Sequence, residues 1–342
     1  MTPELPPVMD EEQLAAVLDL PKVELHLHHE GAAPPEFIRR LGQEKSINLT
    51  GVFNPDGSYA FHDFAHFLSV YEAATQVLKT PEDYARLTTA VLEESAANGV
   101  IYCETFLSPD FCGGGDVGAW REYLHAIRDA ADAAERAHGI VLRGIVTCIR
   151  HFGPYRAKAP ALCAAETAGD WIVGFGMGGD ETMGKQKDFA WPFDLAREAG
   201  LQLTTHAGEW RGPAEVRSAI EDLRVTRVGH GVRAIEDLAL VDLIAERGIV
   251  LEVCPVSNVT LKVYPNMAAH PIEELRKRGV TVTVSTDDPP FFHTNMRREY
   301  HNLAKTFGWS AEQFSELART SARAAFCNDE TKSALLKRLE TP

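Results

Sequence analysis

The chain has 342 residues, 45% of them hydrophobic, which suits one large α/β domain or two smaller ones with a sizeable core. A formal net charge of −15 argues against a broad electrostatic grip on nucleic acid or on an anionic membrane. The six cysteines (Cys103, Cys112, Cys148, Cys163, Cys254 and Cys327) are scattered and form no C-x-x-C pair, so reduced thiols in a cytoplasmic protein are expected rather than a disulfide framework or a structural zinc site.

The N-terminal MTPELPPVMDEEQ has neither a basic nor an apolar region, so no secretory signal is expected. No apolar run is long enough to span a bilayer. Short β-branched runs then alternate with amphipathic ones. The runs predict strands at 22–28, 100–107, 140–149, 171–177, 201–207, 225–231, 248–255 and 280–287. Several intervening helical stretches end at a glycine (Gly99, Gly139, Gly200, Gly248, Gly279) just before the next strand. Eight βα units of this length fit a (β/α)8 TIM-type barrel better than a doubly wound sheet, and no linker divides residues 1–342, so one barrel domain is expected. Extra material at about 32–98, including FHDFAHFLSVYEAATQVL, carries Phe61, Phe64, Phe67, Leu68 and Tyr71 at helical spacing. It reads as a helix covering the barrel or as a lid over its mouth, since long βα insertions fall on the catalytic face.

Polar residues gather at strand ends. In VELHLHHEG, strict alternation puts Glu24, His26 and His28 on the inner face, and Val23, Leu25 and Leu27 on the face that helices cover. His29 falls outside the alternation. THAGE adds His206 and Glu209, GHG adds His230, and STDDPP adds Asp287 and Asp288. The C-terminal strand ends of such a barrel open on one mouth, so these residues converge. Three imidazoles (His26, His28, His206) and one carboxylate (Asp287) are a donor set that suits zinc.

Other matches carry less. GFGMGG (174–179) has the letters of a dinucleotide loop but no apolar helical stripe after it. His62 and His66 share a helix side without a third ligand nearby, and CGGGD lacks the lysine of a phosphate loop. Cys254 has no adjacent base and reads as packing.

The ordered set PKVELHLHHEGA, GGDE, THAGE, RVGHGV, CPVSN and STDDP, from residue 21 to about 290, resembles the adenosine deaminase family of metal-dependent amidohydrolases. The resemblance implies a barrel with an inserted helical lid after the first strand, extra C-terminal helices and one Zn2+ per chain. It implies His26, His28, His206 and Asp287 as zinc ligands and Glu209 as proton donor to a purine ring. His230 would position or deprotonate the attacking water, and Asp288 would bond that water and the purine. Gly179 would offer backbone to the ring edge and Phe64 would cover the substrate. Glu30 occupies the place that meets the ribose 5′ end in nucleoside-using members.

Two features bear on the substrate. Glu30 stands where familiar adenosine deaminases carry aspartate and adenine-using relatives often carry glutamate, and Phe106 stands where many relatives have a basic residue. Against these, GGDE and DDPPFFHT resemble the bacterial nucleoside-using branch. The expected substrate is a small-molecule purine nucleoside, adenosine or 2′-deoxyadenosine. The alternatives are adenine or another N6-bearing purine, a different metal-dependent hydrolase on the same barrel, or an inactive purine-binding protein. Oligomeric state is left open.

Overall fold

The computed structural model describes residues 9–340. Eight strands run parallel in chain order: β1 (Lys22–His28), β2 (Val100–Leu107), β3 (Val141–Ile149), β4 (Ile172–Gly178), β5 (Gln202–Ala207), β6 (Arg227–His230), β7 (Val250–Val253) and β8 (Thr281–Val284). Each expected run holds a strand. The sheet closes on itself just beyond β8, where the His28 N–H donates to the Asp287 carbonyl at 3.0 Å and the Asp287 N–H to the His26 carbonyl at 3.2 Å. This is the expected (β/α)8 barrel.

The covering helices end where glycine permits it. The helix Val117–His138 stops at Gly139, whose φ of 70° turns its N–H back onto the Glu135 carbonyl at 2.8 Å. Between β1 and β2 lie three helices, Pro35–Glu44, Phe64–Thr75 and Pro81–Ala97. The middle one starts at Asp63, whose carboxylate caps the His66 N–H at 2.9 Å. Three more helices, Met296–Phe307, Ala311–Ala324 and Asp329–Glu340, follow the barrel.

β1 departs from strict alternation. Glu24 pairs with Cys103 but Leu27 pairs with Thr105, so β1 holds one residue more than β2 across this stretch. The consecutive N–H groups of Leu25 and His26 both donate to the Ser285 hydroxyl at 3.1 Å, the pinch expected of a β-bulge. The extra residue resets the faces. Val23 and Leu25 pack with Tyr102, Ala318, Ala322 and Ala325, beside the helix Ala311–Ala324. Glu24 lies on the other side, in a cavity it shares with Val91 and Glu94 of a covering helix. The expected inward Glu24 is therefore corrected: the two-residue period holds only while pairing is regular. His26 and His28 lie beyond the bulge and do face inward.

Glu24 accepts both the N–H and the hydroxyl of Thr286. Behind it, Glu299 accepts the Thr294 hydroxyl at 2.9 Å and the Val256 N–H at 3.2 Å. Burial raises the carboxyl of Glu24 to about 7 and that of Glu299 to about 8. The folded state thus holds protons that the unfolded chain releases near 4.5. This stabilisation is complete below the unfolded value and is lost as pH rises through the folded one. Glu299→Gln, a mimic of the neutral acid, should flatten the decline. Between pH 5 and 9 the parent Tm should fall about 5 °C further than the variant's in parallel melts; equal declines would refute the assignment.

Candidate active site

The C-terminal ends of β1, β5 and β8 bring four donors together. The Asp287 Oδ1 lies 3.3 Å from His26 Nε2 and 3.2 Å from His28 Nε2, and His28 Nε2 lies 3.1 Å from His206 Nε2. One ligand atom from each of the four residues lies within 4.8 Å of the others. The far sides of two rings are tied down. His26 Nδ1 meets the Glu252 carboxylate at 2.8 Å, and His206 Nδ1 meets the Met177 carbonyl at 2.9 Å. With acceptors there, both rings carry the proton on Nδ1 and turn the Nε2 lone pair inward. His26 Nε2 is buried and has no hydrogen-bond partner. A bare buried lone pair facing two more imidazoles and a carboxylate is what a cation of the zinc type fits.

Crowding leaves no room for side chains nearby. A Cβ on Gly229 would stand 2.8 Å from His26 Cε1, and one on Gly178 would stand 3.3 Å from both His28 and His206. The glycines of GFGMGG lie in β4 and at its end, and the last two, Gly178 and Gly179, leave space for imidazoles: His28 and His206 beside Gly178, His151 beside Gly179. Phe106 packs against His26, His28 and His206 at 4.6, 4.9 and 5.6 Å, forming an apolar wall. Burial, reinforced by neighbouring histidines, pushes His206 well below its ordinary value. Burial opposes ionisation of Asp287, but the facing imidazoles of His26 and His28 outweigh it and hold the carboxyl well below the usual range. The Ser257 hydroxyl donates to its other oxygen at 2.7 Å. Cys254 lies within 4.8 Å of ligand atoms of His26, His230 and Asp287, with burial pushing its thiol up.

Glu209 and His230 flank the cluster. His230 Nε2 is 3.8 Å from both Glu209 Oε2 and Asp287 Oδ2. Burial, then the Asp287 charge, raises the Glu209 carboxyl well above the ordinary range. Asp288 is raised in the same way, by burial, then Asp287 and Glu209. Burial lowers His230 to about 3, so its ring is neutral. His230 and Asp287 sit at φ 59° and 69°, a region few non-glycine residues adopt, where strain is held by the surroundings.

A cavity of about 80 Å³ lies over these groups. Glu30, Gly179, Asp288 and Phe64 all line it, with Phe67, Leu68 and Tyr71 of the helix Phe64–Thr75, which makes this helix a lid. Phe64 also packs on Trp210 at 4.7 Å, and Glu72 reaches His151 across the mouth at 3.2 Å. Glu30 is clasped by two phenols, from Tyr84 at 2.9 Å and Tyr71 at 3.2 Å. Burial raises its carboxyl to about 7. His29 points elsewhere: it is buried against the helix Pro81–Ala97, with Nε2 2.9 Å from the Thr88 hydroxyl. His62 is exposed and His66 half-buried, with their Nδ1 atoms 2.7 Å apart.

Several supporting residues escaped the sequence reading. The Glu181 carboxylate accepts four successive N–H groups, those of Gly208, Glu209, Trp210 and Arg211, and so builds the turn that carries Glu209. It stood in plain view as the last letter of GGDE. The Asn258 amide donates to His230 Nδ1 at 3.1 Å, and its oxygen meets His270 Nε2 at 3.1 Å. Glu252 and Arg227 are single charges inside apolar strands, a pattern that signals a buried pair. Gly31 matters by its lack of a side chain, since a Cβ there would stand 1.6 Å from Asp288 Oδ1. Gly31→Ala should therefore displace Asp288, lowering kcat about 100-fold while metal content stays unchanged. Kinetics beside metal analysis tests this, and a near-parental kcat would refute it.

The family described as adenosine deaminase matches residues 21–342. A protein of Rhizobium rhizogenes named adenine deaminase is 48% identical over 94% of this chain and 99% of its own length. The crystal structure of adenine deaminase from Arthrobacter aurescens superposes with a TM-score of 0.86 at 31% identity, covering 94% of this chain and 98% of that one. An amidohydrolase structure from Burkholderia ambifaria with bound Zn gives a TM-score of 0.85 at 26% identity, covering 99% of each chain. These names overturn the expectation of adenosine or 2′-deoxyadenosine as substrate; Glu30, clasped by two tyrosines, is the feature that expectation underweighted. The chain belongs to the adenosine deaminase family.

Proposed function

We propose that this protein catalyses zinc-dependent hydrolytic deamination of adenine to hypoxanthine and ammonia. The observation that carries the free base is Glu30. Tyr84 and Tyr71 each donate to one of its two oxygens, so the carboxylate at the position that meets a ribose in nucleoside-using members is tied to the pocket wall rather than free to turn toward a sugar. The likeness to proteins named adenine deaminase agrees with this. The zinc-bound Burkholderia structure supports the metal.

His26, His28, His206 and Asp287 would hold one Zn2+, which would acidify a water at its open position to near neutral pH. The other residues act on the purine and its protons. Glu209 keeps its proton through burial and gives it to the ring nitrogen beside C6, which makes C6 electrophilic. With the Asn258 amide donating to Nδ1, His230 carries its own proton on Nε2 and presents a donor that orients the attacking oxygen. Asp288 in its ionised form takes one proton from water and returns it to N6 as the C6–N6 bond breaks, and the remaining hydroxyl proton goes back to Glu209 as the C6 carbonyl forms. One water adds, one ammonia leaves, and the proton transfers cancel. The Gly179 backbone meets the ring edge, while Phe64 and its helix exclude bulk water.

Four measurements test this. Purified protein should convert adenine with kcat/KM at least about 100-fold above adenosine or 2′-deoxyadenosine, because a Glu30 held by Tyr84 and Tyr71 is not turned toward the sugar. Better turnover of either nucleoside would overturn the substrate. A chelator should abolish activity and added Zn2+ restore it. Glu209→Gln should retain metal and lose about 100- to 10,000-fold in kcat. As pH rises, the parent rate should hold through the ordinary carboxyl range and decline only above it, as Glu209 loses a proton held by its raised carboxyl; a loss of rate on raising pH through about 4.5 would remove it as the acid.

A further inference from the structure

Below the metal ligands the barrel holds a chain of buried charges that the reaction does not use. Glu252, in the apolar β7, is fully buried. One oxygen meets His26 Nδ1 at 2.8 Å. The other accepts Arg227 Nε at 2.6 Å and the Thr204 hydroxyl at 2.8 Å. Both oxygens are engaged in different directions, so the carboxylate cannot rotate. Arg227 is itself locked, with one nitrogen 2.7 Å from Glu104 and donating to the Ala324 carbonyl at 3.1 Å. Its guanidinium lies 3.5 Å from the Phe326 ring.

Burying two carboxylates and a guanidinium is costly, and an apolar replacement of such a network is often neutral or stabilising. Stability alone gives no reason to keep it here. Its geometry does. A carboxylate only accepts, so Glu252 fixes the His26 proton on Nδ1 and aims the bare Nε2 at the other ligands. His206 receives the same service from a neutral carbonyl, which leaves His26 the more electron-rich donor.

We propose that Glu252, held by Arg227 and Thr204, is a positioning residue that sets the direction and donor strength of His26 toward the metal. This rests on the zinc reading of the site. Glu104 supplies the control, because it shares burial and Arg227 but is not bonded to His26.

The test is zinc release from loaded protein into a colorimetric chelator, with melting of the metal-free forms alongside. Glu252→Gln should release zinc at least about 10-fold faster than the parent. Glu104→Gln should stay within about threefold of the parent even where its metal-free Tm falls, since it is not bonded to His26. The visible spectrum of the cobalt-loaded protein should shift for Glu252→Gln and not for Glu104→Gln. Unchanged release from Glu252→Gln, or equal acceleration by Glu104→Gln, would overturn the proposal. If Glu252→Gln does not fold, Thr204→Val decides: severalfold faster release supports positioning and an unchanged rate overturns it. A parent that binds no zinc would instead sink the metal reading.

Discussion

The N–H groups of Leu25 and His26 reach one Ser285 hydroxyl, and the mouth of the barrel depends on that pinch. Before it, β1 sends Val23 and Leu25 toward the C-terminal helix and Glu24 to the covering side. After it, His26 and His28 face inward. A regular strand with the same residues would turn Glu24 into the barrel, one layer below His26, and bury a further carboxyl there. The bulge sends it to the covering side instead.

Three carboxyls around the histidine cluster, Glu209, Asp287 and Asp288, differ in state because their neighbours differ. Asp287 faces His26 and His28 and stays ionised. Its charge then disfavours ionisation of Glu209 and Asp288, already penalised by burial. Two protonation tendencies, ionised and neutral, thus come from one kind of side chain without any difference in intrinsic chemistry. Geometry preserves the arrangement. Glu181 gathers the turn that bears Glu209, and Gly31 leaves Asp288 its space.

Much of this was legible in the chain. Buried parallel strands read as near-continuous apolar runs, so all eight stood out, and the glycines that close helices marked their starts. The ligands were legible because histidine and aspartate at strand ends break an apolar pattern. The bulge was not, because no residue in VELHLHHEG announces a change of register; it is created by pairing with β2 and by a serine 260 positions away. Substrate choice was misjudged for a similar reason. Glu30 invites a polar contact when read alone, and its meaning changes once Tyr71 and Tyr84, 41 and 54 positions on, occupy it.

The C-terminal segment that lies on Arg227 has a consequence in time. A ribosome delivers His26 and His28 almost first, His206 midway and Asp287 only after most of the barrel has emerged. The Ala324 carbonyl and the Phe326 ring, which seat the arginine behind His26, come later still. An unfinished chain therefore presents histidines without the carboxylate or the floor that orients them. The centre and its support can be complete only once residue 326 has joined the strand that carries His26 and His28.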